Sequence, residues 1–476
     1  HRLKNMEVLL EAKQALLSFA IDYALVPPPD PPKLEKMGYL PCPDYEFSVD
    51  EGEQDSSCGA THANSVGLFP WKTLGVPTLR DSNGECLWYV VSGDYKTSPE
   101  SYMLNEDTNG LLEVEDESGK SYHGAAAGDR PVALIIAPGK ALQGQTRGKT
   151  GAQTHCIGGY DEAHYLEPGE SVNYATDHVN YATDHDNTAD DIWTYVFGSA
   201  AAQVDNITTN DQMVWVTRDE LWSAVKKQKD LDITVSPNSA IHELTKKLAE
   251  CLGDNLEDSD NVNKWLPWPA PIDLTEYRED ATNFVGSHEY KDVLNPAPLM
   301  GRFPQDITIS EDNILAQSGS DTDLHGNRDN IIDACLNDEE EKLWQNWKDH
   351  FFLVVSRDFE TLDGPSSVPM ASRCATVGRC VTIHGSLDKI AAIVFYADSP
   401  TLDQSRNASP VDADEKGDLT NYLETVDPDK SNAHQYPSDG TYASNGGDVF
   451  KYYRGIGDLT YCLVVNGTNI DVTDCS

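Results

Sequence analysis

The chain has 476 residues, enough for roughly two to four domains of ordinary size. It carries 79 acidic against 35 basic residues, a formal net charge of −44. That field repels phosphate, which excludes general nucleic-acid binding and attraction to anionic membranes, and it suits a secreted protein, a salt-adapted one, or one that binds divalent cations.

Hydrophobic residues make up 39% and the acids are spread along the chain, so the sequence is expected to fold. Taken in order, residues 2–26 predict one amphipathic helix. Leu3, Met6, Leu9, Leu10, Ala12, Leu16, Leu17, Ala20 and Tyr23 keep a helical period, and Pro27 stops it. A stiff exit follows, Pro27-Pro28-Pro29-Asp30-Pro31-Pro32, then Leu40-Pro41-Cys42-Pro43-Asp44. Strands are predicted at 86–92, 131–139 and 213–217, with a helix opening at Arg218. Ser239 is the expected N-cap of a helix through Cys251. Further strands are expected at 351–356 and 390–396, and Tyr461-Cys462-Leu463-Val464-Val465 is read as the strand that closes the chain. The heptapeptide Val172–His178 repeats at once as Val179–His185.

The ten cysteines contain no C-x-x-C, so zinc-ribbon and thioredoxin-type chemistry lack their signature, and structural disulfides in an oxidising compartment are expected. Short loops favour Cys42–Cys58, Cys374–Cys380 and Cys462–Cys475; elimination leaves Cys86–Cys156 and Cys251–Cys335, with free buried thiols as the alternative. There is no signal peptide and no apolar run long enough to span a bilayer. An opening at His1 rather than Met reads as a processed or truncated product.

Two ungapped matches point to an internal duplication. Leu87–Tyr95 matches Phe351–Phe359, sharing aromatic, x, Val, Val, Ser, x, Asp, aromatic; Pro131–Arg147 matches Ile390–Arg406, each an apolar strand followed by Gln-x-Arg. Each half runs helix, Pro-Trp, Val-Val-Ser strand, apolar strand, Gln-x-Arg, then Asn-Tyr (Asn173-Tyr174 and Asn421-Tyr422). The expected organisation is residues 1–44 as stalk helix and exit, 45–235 as a first α+β module, and 236–476 as a related second one with an insertion.

The helix ending in Leu40-Pro41-Cys42-Pro43-Asp44, followed by Gly67-x-Phe69-Pro70-Trp71-x-Thr73-Leu74-Gly75, resembles large bacterial type IV pilin-like proteins of the prepilin and pseudopilin family. Ala15–Ala20, Ala137-Pro138-Gly139, Gln145-x-Arg147 and Asn421-Tyr422-Leu423-Glu424 fit as well. The resemblance implies a long N-terminal helix packed on an antiparallel sheet. It also implies a leader and an apolar transmembrane half-helix ahead of His1, with assembly beside other pilin-like subunits through the N-terminal helix. Location would be extracellular, cell-surface or periplasmic, anchored in the inner membrane before assembly, and the size of the chain favours a minor or tip subunit.

For chemistry, calcium is the cofactor the residues best support. Asp321, Asp323, Asn327 and Asp329 place hard oxygens around a turn with Gly326, although no glutamate sits at the twelfth position. Asp412, Asp414 and Asp418 form a weaker copy, as do Asp184, Asp186, Asn187, Asp190 and Asp191. No G-x-S-x-G, H-E-x-x-H, Walker A or G-x-G-x-x-G motif occurs, so an enzyme is not expected. Trp265, Trp268, Trp344 and Trp347 read either as a sugar- or peptide-binding platform or as core. The expected function is a filament subunit; the alternative is a secreted calcium-dependent adhesin or carbohydrate-binding protein with a surface or glycan ligand.

Overall fold

A computed structural model describes residues 2–24, 33–45, 50–101, 104–116, 119–147, 155–156, 159–166, 193–197, 210–227, 239–258, 261, 263–272, 290, 299–305, 331–360, 368–375, 379–383, 389–400, 404–406, 413–422, 451–452 and 459–475. They fall into two compact units, His1–Asp230 and Leu231–Ser476, each a mixture of helix and mainly antiparallel sheet.

The first unit runs α1 (Arg2–Asp22), β1 (Ser65–Leu68), β2 (Trp88–Val91), β3 (Leu112–Asp116), β4 (Ser121–His123), β5 (Pro131–Ala137), β6 (Trp193–Phe197), β7 (Gln212–Thr217) and α2 (Arg218–Lys226). β1, β2, β5 and β7 form one antiparallel sheet in that order; β4, β3 and β6 form a smaller sheet in which β3 and β6 are parallel. Every residue of β2 and β5 is buried, because both faces of the main sheet are covered. Side chains alternate along a strand. Trp88, Val90, Leu134 and Ile136 therefore meet Leu112, Val114 and Tyr195 of the smaller sheet, and α1 covers the other side of β5 and β7.

The apolar positions of α1 do not share one environment. Leu9, Ala12, Leu16, Leu17 and Ala20 are buried, with Asn5 beside them, whereas Leu3, Met6 and Leu10 are exposed. Asn5 is satisfied: its Nδ2 donates to Gln212 Oε1 (3.2 Å) and its Oδ1 accepts from Ser82 N–H (2.7 Å). The helix stops at Asp22, earlier than the proline-based expectation. The returning chain supplies the reason. Gly38 N–H donates to Ala20 O and Lys33 N–H to Ala24 O, each at 3.0 Å, satisfying carbonyls that a helix end leaves open. The proline run itself lies outside the described residues.

The second unit runs α3 (Ala240–Glu257), β8 (Met300–Arg302), α4 (Ile331–Cys335), α5 (Asp338–Trp347), β9 (Phe351–Val355), β10 (Thr382–Ile383), β11 (Ile390–Tyr396), α6 (Ala413–Lys416), β12 (Lys451–Tyr452), β13 (Leu459–Asn466) and β14 (Asn469–Asp474). Ser239 caps α3, its side chain accepting from His242 N–H at 3.2 Å; Asn337 and Glu340 form a reciprocal capping box on α5. β8, β9, β11, β13 and β14 make one antiparallel sheet in that order, with α3 packed on β11, β13 and β14. β10 and β12 pair in parallel. The expectation that Tyr461–Val465 ends the regular structure is corrected: the chain turns at Gly467 (φ +66°) and returns as β14. That strand alternates acids and amides with Ile470 and Val472, so it lacks an apolar run to announce it.

The two sheets repeat one register. Trp88 pairs with Ile136 and Val91 with Ala133; Phe352 pairs with Phe395 and Val355 with Ala392. Ser92 N–H donates to Val132 O (2.9 Å) and Ser356 N–H to Ala391 O (2.8 Å). Each serine hydroxyl then accepts a backbone N–H from a returning segment, Leu111 (3.1 Å) or Val381 (2.8 Å). The likeness extends beyond the sequence matches. Leu266-Pro267-Trp268-Pro269-Ala270 stands opposite Leu40-Pro41-Cys42-Pro43-Asp44: Leu40 N–H donates to Tyr95 O (2.6 Å), Leu266 N–H to Phe359 O (2.8 Å). Asp44 exchanges two backbone hydrogen bonds with Leu68, as Ala270 does with Arg302. Gly67 and Gly301 permit that approach, since an added Cβ would lie 2.8 Å from Asp44 O and 2.1 Å from Ala270 O. Pairing of the two Pro-Trp dipeptides, Pro70-Trp71 with Pro267-Trp268, is therefore replaced by Leu-Pro-x-Pro on Leu-Pro-x-Pro and Gly-x-Phe-Pro on Gly-x-Phe-Pro.

Candidate functional site

The expected calcium ligands fall almost wholly outside the described residues. Asp321, Asp323, Asn327 and Asp329 lie outside them, as do Asp412 and the acids 184–191. Asp414 is placed only by its backbone in α6, and Asp418 is half-buried just after it, its carbonyl accepting from Asn421 N–H at 3.0 Å. A second grouping, Asp358 with Cys374 and Cys380, has the proximity of a metal site but not its chemistry. The two sulfurs are joined, so no thiolate remains, and Asp358 already accepts from Cys374 N–H (2.6 Å) and pairs with Arg379.

All ten cysteines are paired: Cys42–Cys58, Cys86–Cys156, Cys251–Cys335, Cys374–Cys380 and Cys462–Cys475. These are the pairs that loop length and elimination favour. Five disulfides place the protein in an oxidising, extracellular or periplasmic setting. No helix of the described residues is long and apolar enough to cross a membrane. Of the four tryptophans, Trp268, Trp344 and Trp347 are core residues and Trp265 is half-buried; Trp268 Nε1 donates to Glu360 Oε2 at 3.2 Å. The sequence holds three N-x-[ST] triplets; Asn206 and Asn407 lie outside the described residues, and Asn466 is exposed at the end of β13.

The Gln-x-Arg motif, which the sequence offers only as a match, proves to be a clamp. Arg147 Nη1 donates to Gly139 O (2.6 Å), just past β5, and its Nε to His164 O (2.8 Å). Its guanidinium also lies 4.7 Å from the centre of the Tyr165 ring. Arg406 repeats this with Asp398 O (2.6 Å), Asn421 O (2.5 Å) and the Tyr422 ring (4.5 Å). Tyr165 then packs on Trp88 (5.2 Å) and Tyr422 on Phe352 (5.1 Å). The counterpart of Tyr422 is thus Tyr165; Asn173-Tyr174 lies outside the described residues. These arginines hold a strand end to a short helical turn.

Three groups of residues have the burial or exposure of functional ones. One is the outer face of α1, where Leu3, Met6 and Leu10 are 84%, 38% and 47% exposed at helical spacing. Its inner face is held by burial and by the Lys13–Glu220 ion pair (2.6 Å). Another is Lys96, whose Nζ donates to Cys58 O (2.9 Å), Ala63 O (2.7 Å) and Ala60 O, closing the loop next to the Cys42–Cys58 disulfide. Burial pushes its pKa down to about 7, against the opposing pull of Asp94. The last is a charged group of side chains that the second unit supplies. Arg302, fully buried, donates from Nε to Ile272 O (3.1 Å), from Nη1 to Asp349 O and from Nη2 to Lys416 O, beneath the rings of Phe352 and Tyr422. Lys416 Nζ meets Asp349 Oδ2, and His350 lies alongside. Sequence reasoning missed this centre because its members are spread over 302–416 and no local motif joins them.

Comparison with protein-family models, with curated proteins and with solved structures returns no match. The likeness to pilin-like proteins therefore stands on the residue motifs alone.

Proposed function

We propose that the chain is a structural subunit of a type IV pilus-like or type II secretion pseudopilus filament, minor or tip-located, presenting a disulfide-stabilised head at the cell surface. The observation that carries this reading is the two-sided character of α1. One face is fixed to the sheet of its own unit, while Leu3, Met6 and Leu10 form an exposed apolar stripe on the other. Exposed large apolar side chains aligned on one helix face serve contacts with another molecule more readily than they serve their own fold. The α+β architecture, with a helix laid on antiparallel strands, and the five disulfides agree with an exported head. Membrane anchoring before assembly belongs to the same reading and would be supplied by residues upstream of His1.

Two experiments test it. The reading frame upstream of His1 should encode a short basic leader and an apolar run with a glutamate near its start; a frame without them removes the proposal. Separately, a triple substitution Leu3→Asp, Met6→Asp, Leu10→Asp should leave the circular dichroism and melting of the head unchanged, since the positions are exposed, yet abolish incorporation into filaments. Normal incorporation of the variant counts against the reading.

A further inference from the structure

The second unit holds a lysine and an aspartate in contact within a buried, ring-lined site. The side chains of Lys416 and Asp349 are 8% and 0% exposed. The lysine–carboxylate contacts Lys36–Glu100, Lys226–Glu106 and Lys247–Glu340 each leave the lysine a fifth or more exposed, where water solvates the ammonium. Arg302 fixes the main chain on both sides of the pair, one guanidinium nitrogen on Asp349 O and another on Lys416 O. A rigid planar fork therefore sets the separation of the two backbones. His350 completes the arrangement. Its Nδ1 lies 2.7 Å from Ala397 O and its Nε2 3.9 Å from Asp349 Oδ1. A carbonyl only accepts, so Nδ1 carries a proton, and the second ring nitrogen faces the carboxyl group. The rings of Trp347, Tyr396 and Tyr422 surround the imidazole at 5.3, 5.4 and 5.8 Å.

We infer that Lys416 and Asp349 condense in the folded protein to an intramolecular amide bond between Nζ and Cγ. Burial disfavours both charges, so a proton passes from the ammonium to the carboxylate and leaves an amine beside a carboxylic acid. The amine lone pair attacks Asp349 Cγ, forming the C–N bond. A proton leaves the nitrogen for His350 Nε2, which returns it to the departing hydroxyl; the C–OH bond breaks and water is released. Nothing is oxidised or reduced, and no co-reactant enters. Fixed proximity supplies the driving advantage, since well-oriented intramolecular pairs reach effective concentrations on the order of 10⁵–10⁸ M. The product ties the turn before β9 to α6, residues 67 apart in sequence, with a link that reductants leave intact. This inference does not depend on the filament reading.

The test is the intact mass of the purified wild-type chain after complete reduction of its disulfides. A mass one water lighter than the sequence requires is expected, with proteolytic fragments bearing Asp349 and Lys416 recovered as one branched peptide. A full sequence mass, or a water loss mapped elsewhere, overturns the proposal. Asp349→Ala and Lys416→Met should each restore the full mass; should either fail to fold, the wild-type measurement still decides. His350→Gln should slow or abolish the mass change, and a variant that cross-links as fast and completely as wild type overturns the part given to His350.

Discussion

Where the first unit places Leu68 on its edge strand, the second places Arg302, and where the first has Cys42 the second has Trp268. The strand order, register, serine turn and arginine clamp are held in common around those differences. The first unit fastens its Leu-Pro-x-Pro segment covalently, through Cys42–Cys58, with Lys96 closing the adjoining loop on three carbonyls. The second fastens the same segment by packing and by the Trp268–Glu360 hydrogen bond, and spends its charged groups on an interior cluster instead. One backbone plan thus tolerates different chemistry at equivalent points, provided that each buried polar group finds acceptors.

Removal of the long-loop disulfides is the harshest way to probe this equivalence. Cys86–Cys156 and Cys251–Cys335 close loops of 70 and 84 residues. Chain-entropy arguments assign each about 4–5 kcal/mol. Paired Cys→Ser variants should therefore destabilise their own units by closely similar amounts in denaturant titrations resolved by hydrogen exchange. A large disparity would show that the units are not energetically alike.

Next in size is Arg302→Leu, which gives the second unit the residue of the first. It strands three carbonyls and leaves Lys416 and Asp349 without their brace, a loss of about 3–5 kcal/mol. Leu68→Arg, the reverse exchange, should also destabilise, measured as the unfolding midpoint in urea. A neutral result for either would break the claim that the two positions are tuned separately.

Smaller again are the glycine pair. Gly301→Ala should cost about 1–3 kcal/mol and more than Gly67→Ala, because its new Cβ would lie 2.1 Å rather than 2.8 Å from a backbone oxygen. Differential scanning calorimetry would order them; equal losses would mean that the strand edge of the second unit yields.

The gentlest probe is pH, and it concerns the first unit. Burial raises the Glu162 pKa to about 7, so the folded state binds more protons than the unfolded state from about pH 4.5 to 7, and stability falls across that window. Burial lowers the Lys96 pKa to about 7, so the unfolded state binds more protons from about pH 7 to 10.5, and stability rises there. Each limb has a slope of at most about 1.4 kcal/mol per pH unit. Glu162→Gln should flatten the acidic limb and Lys96→Met the alkaline one, read by chemical denaturation across pH.

Trp88–Val91 and Ile390–Tyr396 were legible because their unbroken apolar runs, buried on both faces, have few other readings. β14 was missed because a half-exposed strand written as Asn-Ile-Asp-Val-Thr-Asp looks polar. The apolar period of α1 was legible, but not which of its residues face water, since Leu3 and Leu9 have the same chemistry and differ only in what lies opposite. The second copies of Leu-Pro-x-Pro and Gly-x-Phe-Pro stood in the sequence, yet short motifs separated by an insertion gain weight only when their hydrogen bonds coincide. The Arg302–Asp349–Lys416 centre was not legible at all, because it is assembled from three separate segments.

In each unit the opening helix lies against the closing strands: α1 on β7, and α3 on β13 and β14. The beginning and the end of each unit are therefore neighbours in its own structure. A gene segment encoding one such unit can be copied and joined tail to head by a short tether without severing contacts inside either copy. The shared register is what such a copying would leave, and the same closure would let a third copy be grafted on, or one be excised, with the survivor's sheet left whole.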